Sequence, residues 1–194
     1  VHEVIVPVNG FYERQGQTGL QIHHHADDSK PRSSYLPLLE LAVIEDPEDD
    51  RNTYYLAREL FFNGRTRDAA AQFKRHLSLP RAVWRPERAA SMRYLAKLEP
   101  YEAEHWLLRA CAEAPGYREP WLDLAELYAM NDMWGEARGA ALRGLQITNR
   151  QQEYLTEARA WSGRLEELLD QCERCMKEIE AGLNHSAPPV VHPA

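Results

Sequence analysis

The side chains best suited to chemistry lie close to the two ends of the chain. His23, His24 and His25 close the strand-like run Gly19-Leu20-Gln21-Ile22-His23. Successive side chains of a strand alternate between faces, so His23 and His25 share one side and His24 takes the other. Neutral imidazoles beside carboxylates are ligands for a divalent metal; the competing reading is a polar strand end with no ligand. His2 and Glu3 pair a base with an acid on opposite faces of a second run, Val1-His2-Glu3-Val4-Ile5-Val6. Cys172 and Cys175 are three residues apart, on one face of a helix. A zinc centre needs two further ligands, and no second such pair exists in the sequence. Together with Cys111 they make three cysteines, an odd number for a disulfide framework, so free thiols in a reducing, cytoplasmic setting are expected. The acid pairs Asp27-Asp28 and Asp49-Asp50 stand at helix starts, where carboxylates cap free backbone N–H groups.

Most of the chain is built on a period of 34 residues. One helix offers Leu56-Ala57 and Leu60, then Ala90-Ser91 and Tyr94, then Leu124-Ala125 and Tyr128; its partner offers Ala69 and Phe73, then Ala103 and Leu107, then Ala137 and Ala141. Small residues recur where two helices must approach closely, and large apolar ones where a neighbouring unit must be filled. Trp121, Leu124, Ala125, Tyr128 and Ala137 resemble the tetratricopeptide pattern W-x2-L-G-x2-Y…A. The fold class expected is mainly α: a solenoid of about three tetratricopeptide-like helical hairpins, preceded by a short β-hairpin.

Helix pairs are predicted at about 51–62 and 66–78, 86–97 and 100–114, 118–130 and 134–147, with turns at Asn63-Gly64, Pro100, Pro115-Gly116 and Asn131-Asp132. A helix over about Pro31 to Glu45 precedes them. One over about Gln152 to Trp161 follows. A last one, about Arg164 to Ala181, carries the stripe Leu165, Leu168, Leu169, Cys172, Met176 and Ile179 and caps the stack. The domains are thus 1–30, two strands and a loop; 31–182, the helical repeats and cap; and 183–194, a Pro-rich tail expected to be disordered. Two strands alone are not stable in water, so the first segment must pack on the helices or belong to a sheet that lies upstream. A chain opening on Val1 is read as a fragment or the product of a truncated gene.

The first helix of each hairpin lines the concave side of such a stack. By register, Arg51, Tyr54 and Arg58, then Arg85, Arg88 and Met92, then Leu122 and Glu126 point there. The arginines suit a carboxylate-rich peptide or a phosphate; alternatively they pair with Glu48, Asp49, Asp50 or Glu87 nearby.

Val1-His2-Glu3-Val4, the run Leu20 to Lys30 with its three histidines, and Arg32-Ser33-Ser34-Tyr35-Leu36 leading into a repeat helix together resemble bacterial family-2 glycosyltransferases that carry tetratricopeptide repeats after the catalytic domain. The likeness spans about residues 1–158. It implies a parent protein that uses a nucleotide sugar and a divalent metal. In that parent His24 and His25 would sit near the metal-diphosphate, and His2 and Glu3 near the acceptor. The Asp-x-Asp motif of such a site is not among these residues, so the isolated chain is expected to hold no cofactor and to transfer no sugar. Its repeats would position a glycan acceptor or a protein partner. The alternative is a stand-alone repeat scaffold for protein partners.

Composition narrows the classes further. With 44% hydrophobic and 27% charged residues the chain is globular, and a formal net charge of −7 argues against general nucleic-acid binding. No apolar run approaches the ~20 residues a membrane span needs.

Overall fold

The computed structural model describes residues 35–186, with side chains from 35 to 182. The predicted strands, and with them His2, Glu3, His24 and His25, lie outside the described residues. Those described form eight α-helices: α1 Leu36–Glu45, α2 Asp50–Phe62, α3 Thr66–Ser78, α4 Arg85–Leu98, α5 Ala103–Glu113, α6 Arg118–Met130, α7 Trp134–Leu145 and α8 Arg164–Ser186. Helices α2/α3, α4/α5 and α6/α7 pack as hairpins. Each hairpin leans on the next, α3 on α4 and α5 on α6, while α1 covers α2 and α8 closes the far end against α7 and α6. No described helix is long and apolar enough to cross a membrane.

Local chemistry sets the helix boundaries. Asp49 caps α2: its carboxylate accepts the Asn52 N–H at 2.8 Å and its carbonyl takes the Thr53 hydroxyl at 2.7 Å. The tight turns inside the first and third hairpins each need one residue in the left-handed region, Gly64 at φ 74° and Asp132 at φ 57°. Glycine and, less readily, aspartate tolerate that conformation. The second hairpin turns instead through a 3-10 segment, Pro100–Glu102.

The repeating columns form the core. Ala57, Ala69, Phe73, Ala125, Ala137 and Ala141 have no solvent exposure. Phe73 stacks on Tyr94 of the next hairpin, ring centres 4.8 Å apart and planes 8° off parallel. Gly144 marks the closest approach at the other end: a Cβ there would stand 2.8 Å from a Leu165 methyl and 3.3 Å from Trp121 Cβ. Its column 34 residues back holds Ala110, and before that His76.

One predicted helix is not formed. After α7 the chain runs as an irregular segment over 147–157, with a single 3-10 turn at Ala158–Trp161. Leu165 and Leu168 of α8 are buried in the core of the third hairpin, and Leu165 meets Gly144 directly. Helix α8 therefore packs on α7 where the first helix of a fourth repeat would go, and the residues between them are displaced. The Thr156 hydroxyl, bonded to the Gln151 carbonyl at 2.9 Å, supports the non-helical path.

Phe73→Ala should cost about 3–5 kcal/mol, as for other buried aromatics, because its ring joins two hairpins. Tyr101→Ala, at a fully exposed ring, should leave the urea midpoint unchanged. Equal midpoints for the two variants would contradict this packing.

Candidate functional site

The first helices α2, α4 and α6 line one concave face, and residues 151–157 lie across it as a strap. Tyr154 rests on Trp84 and Tyr55, ring centres 5.6 and 6.4 Å away, and its hydroxyl donates a short hydrogen bond to Glu87. Leu155 packs on the core around Tyr54 and Ala90. Glu153 accepts the Tyr117 hydroxyl in another short bond. The Glu157 carboxylate takes Arg93 Nη1 at 2.8 Å, and the Glu157 N–H donates to Glu119 at 2.9 Å.

Arg93 is the electrostatic centre of this face. Its side chain is 9% exposed, and its Nε donates to Asp123 at 2.6 Å. Burial alone would weaken its hold on the proton, but Asp123 and Glu157 outweigh that and leave it more basic than an ordinary arginine. Arg159 extends the network to Asp123 and Glu126 at 3.1 and 2.5 Å, and Arg164 reaches Glu126 at 3.1 Å. Beside it, Ala96, Lys97, Leu107, Leu127 and Met130 line a largely apolar cavity of about 280 Å³. A smaller one of about 170 Å³ lies under the strap, between Arg58, Tyr94, Lys97 and Tyr154.

A second polar cluster is buried at the junction of α3 and α4. His76 has no exposure; its Nδ1 meets the Ser91 hydroxyl at 2.9 Å, and its Nε2 has no hydrogen-bond partner. Glu87 Oε2 is 3.9 Å from Nε2, beyond hydrogen-bonding distance. Burial, with Arg88 nearby, pushes the imidazole pKa down to about 4, so the ring is neutral at pH 7 and the contact is not an ion pair. Burial raises the Glu87 carboxyl, and the Tyr154 hydroxyl and Arg51 partly offset this. Ligand atoms of Asp50, His76 and Glu87 lie within 4.8 Å of one another, a geometry from which a divalent ion could be held. Tyr154 and Arg51 already serve Glu87, and they would compete with such an ion.

Of the groove residues expected from the register, Arg51 and Arg58 lie on the strap side. Arg58 is half-buried over the rings of Tyr54, Tyr55 and Phe62. Tyr54 is 1% exposed; it floors the smaller cavity and packs on Phe73 and His76. Arg88 turns between hairpins to Glu113 and the carbonyls of Leu77 and Ala82, and exposed Arg85 approaches Glu113 at 3.9 Å. Met92 is buried with Ala89, Ala110 and Ala114. Leu122 is buried in the core of the third hairpin, while Glu126 lies in the groove. On α4 the groove side chain is Arg93 and not its neighbour Met92, although the core columns keep the 34-residue spacing, with Ala57, Ser91 and Ala125 all unexposed.

Sequence reasoning missed Arg93, Asp123, Glu119 and the whole strap, and it named Glu87 only as a partner for the groove arginines, not as the seat of Tyr154. One signal was present: the column of His76, Ala110 and Gly144 sets an imidazole where the other hairpins keep a small residue. Cys111 and Cys172 are buried free thiols and Cys175 is half-buried; burial pushes Cys111 up to about 12, which keeps it protonated and unreactive.

No family model matches the chain, and a search of curated proteins finds no match. Among solved structures the chain is similar to MamA, a tetratricopeptide-repeat protein. One MamA crystal structure is 17% identical with a TM-score of 0.52 over 83% of this chain and 89% of that one. The MamA 41-end structure from Desulfovibrio magneticus RS-1 is 14% identical with a TM-score of 0.53 over 81% and 88%. Similarity at this level supports the tetratricopeptide-like fold, and that alone.

The buried imidazole sets a pH dependence. The unfolded chain takes up the His76 proton near pH 6.5, while the folded chain resists it down to about pH 4. His76 should therefore lower stability as pH falls through that window, by about 3 kcal/mol in full. The raised Glu87 carboxyl acts in the opposite sense, so the difference from His76→Gln isolates the imidazole. Urea midpoints of His76→Gln should fall less between pH 6.5 and 4.5 than those of the unaltered chain. Parallel slopes would contradict a neutral buried ring.

Proposed function

We propose that this chain is a helical-repeat interaction scaffold whose concave groove holds a segment of a protein partner. One observation carries the reading: the groove already grips an irregular peptide segment, side chain by side chain. An aromatic slot at Tyr55 and Trp84, a buried guanidinium at Arg93 and an apolar pocket beside it are features that recognise a peptide. They suit a protein segment better than a glycan acceptor, which would need a denser set of hydrogen-bonding groups. The glycosyltransferase parent is a finer proposal. It rests on the resemblance that spans about residues 1–158, and an Asp-x-Asp motif after a strand in the sequence encoded upstream would support it.

The scaffold reading is tested with linear peptides selected from a display library against the purified chain. Selected peptides should lose roughly tenfold or more in affinity on Lys97→Glu, at the rim of both cavities, since a reversed charge opposes an acidic segment. They should be indifferent to Arg109→Glu on the exposed side of α5. Peptides that respond to Arg109 and ignore Lys97 would place binding elsewhere.

A further inference from the structure

Residues 151–157 are held in the groove differently from the rest of the chain. Almost all their attachments are side-chain contacts: Tyr154 to Glu87, Leu155 to the apolar floor, Glu157 to Arg93. The main chain of the strap makes one hydrogen bond to the groove, Glu157 N–H to Glu119. Its other main-chain bonds are local: Thr156 N–H to the Glu153 carbonyl, the Thr156 hydroxyl to the Gln151 carbonyl, and Ala160 N–H to the Glu157 carbonyl at the anchored end. Tyr154 is 47% exposed. Both ends are anchored firmly. The Ile147 carbonyl takes Arg118 Nε at 2.8 Å, Arg118 lies over the Trp161 ring at 4.1 Å, and Ala160 is buried. A loop fixed at both ends and fastened by four side chains, Glu153 to the Tyr117 hydroxyl being the fourth and most exposed, can lift without disturbing the stack.

Lifting the strap defines what must replace it. Glu87, with 2% exposure, would lose the phenol that donates to it; Glu119, also at 2%, would lose an amide donor while its Oε2 already has no partner. Arg93 would lose one of its two carboxylates. Buried polar groups left unpaired are costly, so the open groove selects a ligand that restores all three. That ligand is a segment with a phenol, an aliphatic side chain next to it, and a carboxylate two residues further on. Arg51, Arg58 and Lys97 along the same wall favour further acids.

Resting on the scaffold reading, we propose that the groove recognises an acidic segment of a separate protein with the pattern Tyr-aliphatic-x-acid, and that Tyr154-Leu155-Thr156-Glu157 is an internal occupant which that segment displaces. A second copy of this chain is the poorer source. Its strap is tethered on both sides, and exchange would pull α8, with buried Leu165, Leu168 and Cys172, away from α7. A strap closed about 90% of the time would weaken an incoming segment about tenfold.

The probe is a fluorescein-labelled peptide Gln-Gln-Glu-Tyr-Leu-Thr-Glu-Ala, a copy of residues 151–158. It should bind Tyr154→Ala/Glu157→Ala roughly tenfold or more tightly than the unaltered chain, and the tighter affinity should be lost when its tyrosine and second glutamate are alanine. Equal affinity for both proteins, no binding to a double variant of unchanged helicity, or equal binding of the alanine peptide would each overturn the proposal. Should the double variant not fold, hydrogen exchange on the unaltered chain decides. Excess peptide should speed exchange at the Glu157 amide and leave the core of α6 unchanged; no change at Glu157 overturns the proposal. A sedimentation shift to dimer in the unaltered chain, with the strap exchanged, would also overturn it in favour of a second copy. If library peptides prove sensitive to Lys97 while this probe does not bind, the scaffold reading stands and only the internal occupant falls.

Discussion

A guanidinium with almost no access to water sits at the centre of the concave face, and the arrangement around it follows from the need to keep it paired. Arg93 cannot shed its proton, so its burial requires carboxylates at hydrogen-bonding distance. Asp123 of α6 and Glu157 of the strap supply them. One side chain thereby links the second hairpin, the third hairpin and the segment between α7 and α8. Arg159 and Arg164 then balance the acids that Arg93 alone would leave in excess. The chain as a whole is acidic, yet along this face most cations, Arg51, Arg58, Arg93 and Lys97, stand on α2 and α4, while Asp123 and Glu126 stand on α6, with Glu87 of α4 the exception. A segment crossing from one side to the other meets both.

The repeat period was legible because stacking forces it. A helical hairpin buries one face only against its neighbours, so the same columns must be small or apolar in every unit. The six helices of the three hairpins fall within three residues of the spans read from the sequence, the largest difference being at the start of α5, where Pro100–Glu102 is a 3-10 segment. What the period did not convey was which residue beside the core columns faces the groove. On α4, packed between two neighbouring hairpins, Met92 joins Ala89, Ala110 and Ala114, and Arg93 meets Asp123 and Glu157. Nor could the segment Gln152–Trp161 be read from local pattern, since its residues fit a helix well enough. Its path is decided by α8, which takes the place beside α7 that this segment would need. That is tertiary competition overriding local propensity.

The junction between the first and second hairpins differs chemically from the others. Between α3 and α4 the stack carries His76, Ser91 and Glu87, where the far end packs Gly144 against Leu165. Such a polar contact contributes less than apolar packing would, because both groups are desolvated and Nε2 has no partner within hydrogen-bonding distance. It does give the junction directionality, since the Ser91 bond accepts a narrow range of ring positions. The same Glu87 holds the Tyr154 phenol, so the register of two hairpins and the seat of the strap share one carboxylate.

This sharing links the groove to the stack. When the Tyr154 hydroxyl leaves, Glu87 keeps Arg51 and, more weakly, Arg58 as nearby positive groups, in a place where burial already raises its pKa. The carboxyl would then gain by taking a proton or by drawing water toward the α3–α4 junction, and either change reaches His76 at 3.9 Å. A segment bringing its own phenol avoids both. Occupancy of the groove and the packing of the first two hairpins are therefore expected to stabilise each other, in either order of binding. The coupling needs no movement of helices, only a hydroxyl over Glu87 and a carboxylate on Arg93.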